Sequence, residues 1–302
     1  PEWCKSQFVY DEAKVKLDLP FQSFKEAFSS DVKTMVIGVV NAGGTLSDRW
    51  KRSIIEAIKS GLNIASGMHT RLSDVPEIFD AAEKYGVNLY DLRFSNQTFS
   101  TGKGSKRSGK RLLTVGTDCS VGKKYTALAI EKAMKENAFK CEFKATGQTG
   151  VLIAERGIAI DAIVSDFVSG AVEWLSPDND SDHWDIIEGQ GSLFHPSFAG
   201  VSLGLLHGSQ PDAIILCHEP TRTNMRGVDT SIPSIQECID ENIRLGKLTN
   251  PNIKCIGVAL NTSDMNSDSK ELKSKISKEN NLPCFDPLTD DLSQIIDEIR
   301  NI

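Results

Sequence analysis

A chain of 302 residues is long for one hydrophobic core and comfortable for two domains. With 39% hydrophobic and 25% charged residues it lies in the ordinary globular range, which argues against wholesale disorder. The formal net charge of −7 argues against a nucleic-acid-binding role, which would want a basic face, so an anionic ligand has to be met by a local positive site.

Residues 34–42 (TMVIGVVNA) are a short apolar, β-branched run closed by Gly43 and Gly44, the pattern of a buried strand. Trp50, Ile54, Ile55 and Ile58 recur at helical spacing and predict a helix over 48–60, with Gly61 as its C-cap and a second strand at LNIAS, 62–66. A helix over 74–85 leads to Gly86 and a third strand within VNLYDLRF, 87–94. Alternating strands and helices predict a parallel sheet, here a small Rossmann-like domain over 1–94. It contains no GxGxxG, so no dinucleotide site is expected there, and residues 1–30 are expected to add edge elements only. The start at Pro1 without a methionine reads as a truncated or processed N-terminus.

Residues 95–111 (SNQTFSTGKGSKRSGKR) are polar and rich in Ser, Gly, Lys and Arg, and read as a solvated interdomain linker. From 112 the pattern restarts with strand LLTVGT, a glycine loop, a helix over 123–136 and a strand over 139–145. The loop TGQTG, a strand near 151–153, a helix over 161–174 and a loop at 176–183 follow. Strands WDIIEG and DAIILCHE, a helix over 234–246, strand KCIGVAL and a helical tail complete a doubly wound domain over 112–302. The expected fold is therefore α/β: a small Rossmann-like N-terminal domain and a larger doubly wound, P-loop-NTPase-like domain. Ligands of such sheets bind beyond the carboxyl ends of the strands. That singles out loops 116–124, 146–150, 188–196, 218–227 and 261–264.

The segment VGTDCSVGKKY stands between a strand and a helix, the context that gives a phosphate loop its meaning. Gly116 and Gly122 let backbone N–H groups curl around an anion, the following helix N-terminus favours negative charge, and Lys123 neutralises phosphate. The loop from Gly116 through Thr117, Asp118, Cys119, Ser120, Val121, Gly122, Lys123 and Lys124 to Tyr125 is thus the candidate cofactor-binding segment. Two features depart from GxxxxGK[ST]: one extra residue separates the glycines, and Lys124-Tyr125 replace the Ser/Thr that ligates Mg²⁺. The loop suits a pyrophosphate and disfavours Mg-dependent phosphoryl transfer. Cys119 lies where a helix N-terminus lowers a thiol pKa, yet no partner histidine stands near it in sequence, so it reads as loop filler.

Glu188 stands at the tip of WDIIEG. Spacing alone leaves it open as a metal ligand, a general base or a carboxylate capping its own loop. Gln190, with the N–H groups of Gly189 and Gly191, is a candidate for polarising a carbonyl oxygen. Gln148 and Thr149 lie at another strand end. Asp161 reads as a helix cap and Asp166 as a second candidate acid. His218, Arg222 and Arg226 share one loop, and two arginines can each grip a carboxylate in a forked geometry. A surface ion pair is the plainer reading of either one alone. His195, between Phe194 and Pro196, reads as packed. Seven cysteines, odd in number, scattered and without CxxC, read as free thiols of a reducing cytosol and give no zinc site. No apolar run reaches the ~18 residues of a membrane helix and no signal peptide opens the chain, so no membrane partner and a cytoplasmic location are expected.

GTDCSVGKK resembles the GTDTxVGKT loop of dethiobiotin synthetases, EGQG stands where they have VEGAG, and Asn261 follows a strand where they place an Asn against adenine. A closer resemblance spans nearly the whole chain. NAGGTLSDRW, ASGMHTRLSDVP, LLTVGTDCSVGKKYTAL, ATGQTGVLIAERG, WDIIEGQGSLFHPSFAGVSLGLLHGSQPDA and CHEPTRTNMRG are similar to the DgcN-type D-glutamate N-acetyltransferase family, which is unrelated to the GNAT acetyltransferases. That resemblance implies acetyl-CoA as donor and the α-amine of a D-amino acid, foremost D-glutamate, as acceptor. Set beside the residue reading, it leads to the expectation of CoA pyrophosphate on Gly116–Lys124, adenine by Asn261, Glu188 with Asp166 in reserve as base, Gln190 or backbone N–H groups at the oxyanion, and substrate against Gln148, Thr149, His218, Arg222 and Arg226. The rival readings are an ATP/Mg-dependent ligase or kinase of the dethiobiotin synthetase type and a non-catalytic nucleotide sensor. A homodimer is expected for a two-domain enzyme of this size.

Overall fold

The computed structural model describes residues 3–13, 15–40, 44–265 and 269–302. The chain divides into two compact units, Pro1–Ser95 and Asn96–Ile302. Among the described residues no helix is long and apolar enough to cross a membrane.

In the smaller unit, α1 (Phe24–Ser29) opens on a capping box in which Ser23 and Glu26 satisfy each other's backbone amides. Strand β1 (Thr34–Ile37), helix α2 (Asp48–Lys59), strand β2 (Asn63–Ser66), helix α3 (Pro76–Tyr85) and strand β3 (Leu89–Asp91) follow. The three strands pair in parallel in the order β1-β2-β3. Helix α2 starts where Ser47 accepts the Trp50 N–H, and α3 runs from Pro76 at its first turn to Gly86 at φ 66°. The apolar stripe of α2 buries Ile54, Ala57 and Ile58 against Ile64, Leu72 and Ile78. Strand β1 is shorter than the apolar run that announced it, and the run's last two residues, 41 and 42, with Gly43 that closes it, lie outside the described residues.

The larger unit holds β4 (Lys110–Gly116), α4 (Lys123–Glu136), β5 (Lys140–Lys144), α5 (Gln148–Ala154), α6 (Val168–Leu175), β6 (His183–Ile187) and α7 (Ala199–Ser209). It continues with β7 (Ala213–His218), α8 (Ile235–Gly246), β8 (Lys254–Leu260), α9 (Ser269–Asn280), β9 (Cys284–Phe285) and α10 (Ser293–Arg300). Its six strands are all parallel in the order β5-β6-β4-β7-β8-β9. Side chains alternate between two cores: Leu112, Ile186 and Ile215 join one, and their neighbours Leu113, Ile187 and Ile214 join the other. Strands buried on both faces must read as continuous apolar runs, and these do. The chain leaves β4 for β5 and β6 on one side and β7 to β9 on the other, so the sheet order reverses at β4. Its carboxyl end is the crevice where doubly wound sheets hold ligands.

Two of the expected elements are corrected, and one helix was missed. Residues 151–153, read as a strand, belong to helix α5, because the three apolar residues VLI follow directly on a helical turn begun at Gln148. The helix read over 161–174 is two 3₁₀ turns, 160–162 and 165–167, followed by α6. Helix α7 was not anticipated from the sequence. Its glycines hide it: a Cβ at Gly204 would lie 2.7 Å from Val168 and one at Gly208 2.5 Å from the Ser169 carbonyl, so they let α7 press against α6.

Of residues 95–111, read as a solvated interdomain linker, those from Asn96 on belong to the larger unit and are fastened to it at several points. The N–H groups of Lys103 and Gly104 bond Glu173, Arg107 donates to the carbonyls of Ser176 and Gly208, and Arg111 is 1% exposed with bonds to Ser176 and Pro177. Two arginines of the run that looked like a solvated tether, Arg107 and Arg111, thus satisfy carbonyls at the ends of α6 and α7.

Candidate active site

The loop between β4 and α4 turns on Ser120 at φ 54° and Gly122 at φ 100°, both in the left-handed region. Val121 points inward, 1% exposed in the core, and anchors it. Lys123 is buried and its Nζ donates to the Asp118 carbonyl at 2.7 Å; burial pushes its pKa down. Thr117 Oγ1 stands 2.9 Å from His218 Nδ1. The segment from Cys119 through Tyr125 lines a cleft of about 660 Å³, together with Gln148, Thr149, Glu188, Gln190 and Asn261. Four of the five loops singled out from the sequence therefore converge.

Glu188 is 4% exposed, and its Oε2 accepts the N–H groups of Thr146 at 3.0 Å and Gly147 at 3.1 Å. Among the described residues Oε1 has no hydrogen-bond partner. Burial pushes this carboxyl upward, opposed by the two amides and then by Lys124 and Lys123. Helix α5 can start beside it only because residue 150 is glycine: a Cβ there would lie 2.2 Å from Glu188 Oε2. Gln190 Nε2 donates to Thr146 Oγ1 at 3.1 Å, leaving its second amide hydrogen. Gly189 cannot polarise a ligand, because its N–H is taken by Thr114 Oγ1 at 2.9 Å. Asn261 stands at the carboxyl end of β8, its Oδ1 accepting from Ser263 Oγ at 2.8 Å.

Several candidates lie elsewhere. Asp166 is exposed in a 3₁₀ turn and does not line the cleft. Arg222 is spent within the protein, on Asp118, Glu219 and the carbonyls of Cys119 and Ser120. Arg226 contributes its backbone N–H to Asp118 at 2.8 Å while its side chain is exposed, and neither arginine lines the cleft. His218 is half-buried, and desolvation pushes its pKa down. Its partner is Thr117, and it too lies outside the lining. His195 is packed at 1% exposure, Nδ1 accepting from Ser197 N–H and Nε2 donating to the Arg226 carbonyl. The Cys119 thiol is raised rather than lowered, by burial and by the neighbouring Asp118.

Sequence reasoning missed one wall. Asp286, Pro287 and Leu288 line the cleft beside Asn261. Asp286 is 5% exposed and braced by the N–H groups of Thr262 and Leu288, while Leu288 is 68% exposed. The strand that delivers them, β9, has two residues, too few for an apolar pattern to register.

Residues 9–95 match the Rossmann-like N-terminal domain described for DUF1611, and residues 98–296 match its P-loop domain. The chain belongs to the DUF1611 family. Over 297 residues this DUF1611 protein is 50% identical to a D-glutamate N-acetyltransferase of Pseudoalteromonas sp., covering 98% of this chain and 90% of that protein. It is 43% identical over 308 residues to a D-glutamate N-acetyltransferase of Tritonibacter scottomollicae, covering 100% of this chain and 91% of the relative. A crystal structure of a DUF1611 protein from Anabaena variabilis superposes with a TM-score of 0.87 at 30% identity, over 94% of this chain and 84% of that one. The family resemblance drawn from the sequence strings holds across both units.

Proposed function

We propose that this protein is an N-acetyltransferase that moves the acetyl group of acetyl-CoA to the α-amine of D-glutamate. The observation that carries the reading is the likeness, over nearly the full length of both chains, to two proteins named for that activity. The cleft supports it. A loop with left-handed turns, two lysines and a helix N-terminus suits a pyrophosphate. Lys124 stands where Mg-dependent loops carry the hydroxyl that ligates the metal, so the site supplies an ammonium in place of a divalent cation.

In this reading CoA pyrophosphate lies on the part of the loop that lines the cleft, Cys119–Tyr125, with adenine toward Asn261 and Leu288, while Thr117 and Asp118, both 0% exposed, brace the loop from behind rather than touch the ligand. The thioester reaches Glu188 and Gln190, and the acceptor lies by Gln148 and Thr149. Glu188 Oε1 takes a proton from the substrate ammonium, since only the neutral amine is a nucleophile, and its raised pKa makes it the better base. The amine nitrogen bonds the thioester carbon. Negative charge gathers on the carbonyl oxygen, where the free amide hydrogen of Gln190 meets it. The tetrahedral adduct collapses, the C–S bond breaks and CoA leaves as the thiolate; the second amine proton passes to solvent. Seven free cysteines suit a reducing compartment, and we propose a cytoplasmic enzyme acting as a homodimer.

The test is thiol release from acetyl-CoA with D- and L-glutamate in the absence of ATP and Mg²⁺, with the product identified by mass. Release that requires D-glutamate and yields the N-acetylated amino acid is the expected result. No release, followed by ADP formation once Mg-ATP is added, would replace the transferase with the ligase reading. Light scattering gives the oligomeric state in the same preparation.

A further inference from the structure

The arginine that the sequence offered to the substrate has another use. Its guanidinium faces the outer side of the glycine loop: Nη1 donates to the Cys119 carbonyl at 2.8 Å and to Asp118 Oδ2 at 3.0 Å, and Nη2 to the Ser120 carbonyl at 3.0 Å. Its Nε stands 2.8 Å from Glu219 Oε2. Two buried carboxylates share its charge, Asp118 at 0% and Glu219 at 3% exposure, so little of that charge is left for a substrate carboxylate.

What it does to the loop follows from peptide geometry. In a trans peptide the C=O and the next residue's N–H point in opposite directions. Fastening the carbonyls of Cys119 and Ser120 on the outer side therefore turns the N–H groups of Ser120 and Val121 the other way. Both residues line the cleft, and among the described residues neither amide has a hydrogen-bond partner. The Cys119 N–H is already consumed by Asp118 Oδ1 at 2.6 Å. Ser120 holds φ 54° without being glycine, a conformation that persists only where the surroundings over-determine it, and the bond to its carbonyl is such a constraint.

We propose that Arg222 is a positioning residue that pins the glycine loop from outside, so that its unpaired amides face a ligand pyrophosphate. The proposal deepens the acetyl-CoA reading and rests on it, and the experiment below separates the two. Acetyl transfer to D-glutamate is followed in wild type, R222A and R222K with two donors: acetyl-CoA, and S-acetyl-N-acetylcysteamine, a thioester without pyrophosphate. Calorimetry gives the affinities for CoA and Mg-ADP, and thermal melting reports folding.

Both variants are expected to raise the KM for acetyl-CoA about 30-fold, the loss of two charge-assisted bonds shared with loop strain. The kcat, the KM for D-glutamate and the rate with the truncated donor are expected to stay within about threefold. Lysine restores the charge but not the fork, so R222K as weak as R222A supports pinning over bulk electrostatics. If R222A does not fold, R222K carries the same comparison. An unchanged KM for acetyl-CoA, or a rise confined to the KM for D-glutamate, overturns the proposal. Wild-type protein that transfers no acetyl group but binds Mg-ADP ends the acetyl-CoA reading alone, and the pinning is then judged from the variants' ADP affinity. Wild-type protein that binds neither ligand overturns both.

Discussion

The two sides of the glycine loop carry the same kinds of residue and use them in opposite ways. On the outer side Asp118 and Arg222 bond each other and the loop backbone, and His195 beside them bonds the backbone through both ring nitrogens. On the cleft side a carboxylate and two lysines (Glu188, Lys123, Lys124) share the lining, and among the described residues Glu188 keeps one oxygen without a hydrogen-bond partner. The outer cluster is satisfied by its own fold and so is scaffold. The inner cluster is left incomplete, and a ligand completes it. Residue type therefore separates nothing here; the whereabouts of each group's partners does.

Glu188→Gln breaks that contrast most severely. Glutamine can still accept the Thr146 and Gly147 amides but cannot take a proton, so kcat is expected to fall about 10²–10³-fold with KM values little changed. Undiminished turnover at saturating substrate would move the base elsewhere. Lys124→Thr sharpens the contrast next, by restoring the hydroxyl of a metal-binding loop. The KM for acetyl-CoA is expected to rise about tenfold without metal, partly recovered on adding Mg²⁺. A KM indifferent to this change would place the pyrophosphate away from Lys124.

A subtler effect concerns pH. The base works as carboxylate, and burial raises its pKa above the ordinary value of 4.5. Activity is thus lost as pH falls through the raised value, and the acid limb of the kcat/KM profile lies above 4.5. A wild-type limb at or below 4.5 would argue against a buried base. The smallest effect belongs to Asp166→Asn, on an exposed residue away from the cleft, where kcat/KM is expected to change less than about twofold. A large loss would return Asp166 to the site.

Much of this was legible without coordinates. Continuous apolar runs such as LLTV and AIILC announce strands buried on both faces, and the parallel-sheet rule then names the loops beyond their carboxyl ends. The glycine loop, Glu188, Gln190, Gln148, Thr149 and Asn261 were found this way, and the structure brings them around one cleft. The signal failed where periodicity is short or masked. Strand β9 is two residues long, helix α7 carries glycines for close packing, and the basic run before β4 spends Arg107 and Arg111 on helix-end carbonyls rather than on solvent.

The sequence by itself determined the alternation of strands and helices, the parallel sheets and the chemical inventory of the site, because these depend on local pattern and on what each side chain can donate or accept. Only the tertiary structure decided which charged groups remain available. Arg222 and Arg226 share a loop with His218, yet one guanidinium is consumed by contacts about a hundred residues away in the chain, with Asp118, Cys119 and Ser120, and the other stands exposed outside the cleft. Satisfaction of a polar group is a long-range property of the packed chain, and no spacing within a single loop encodes it.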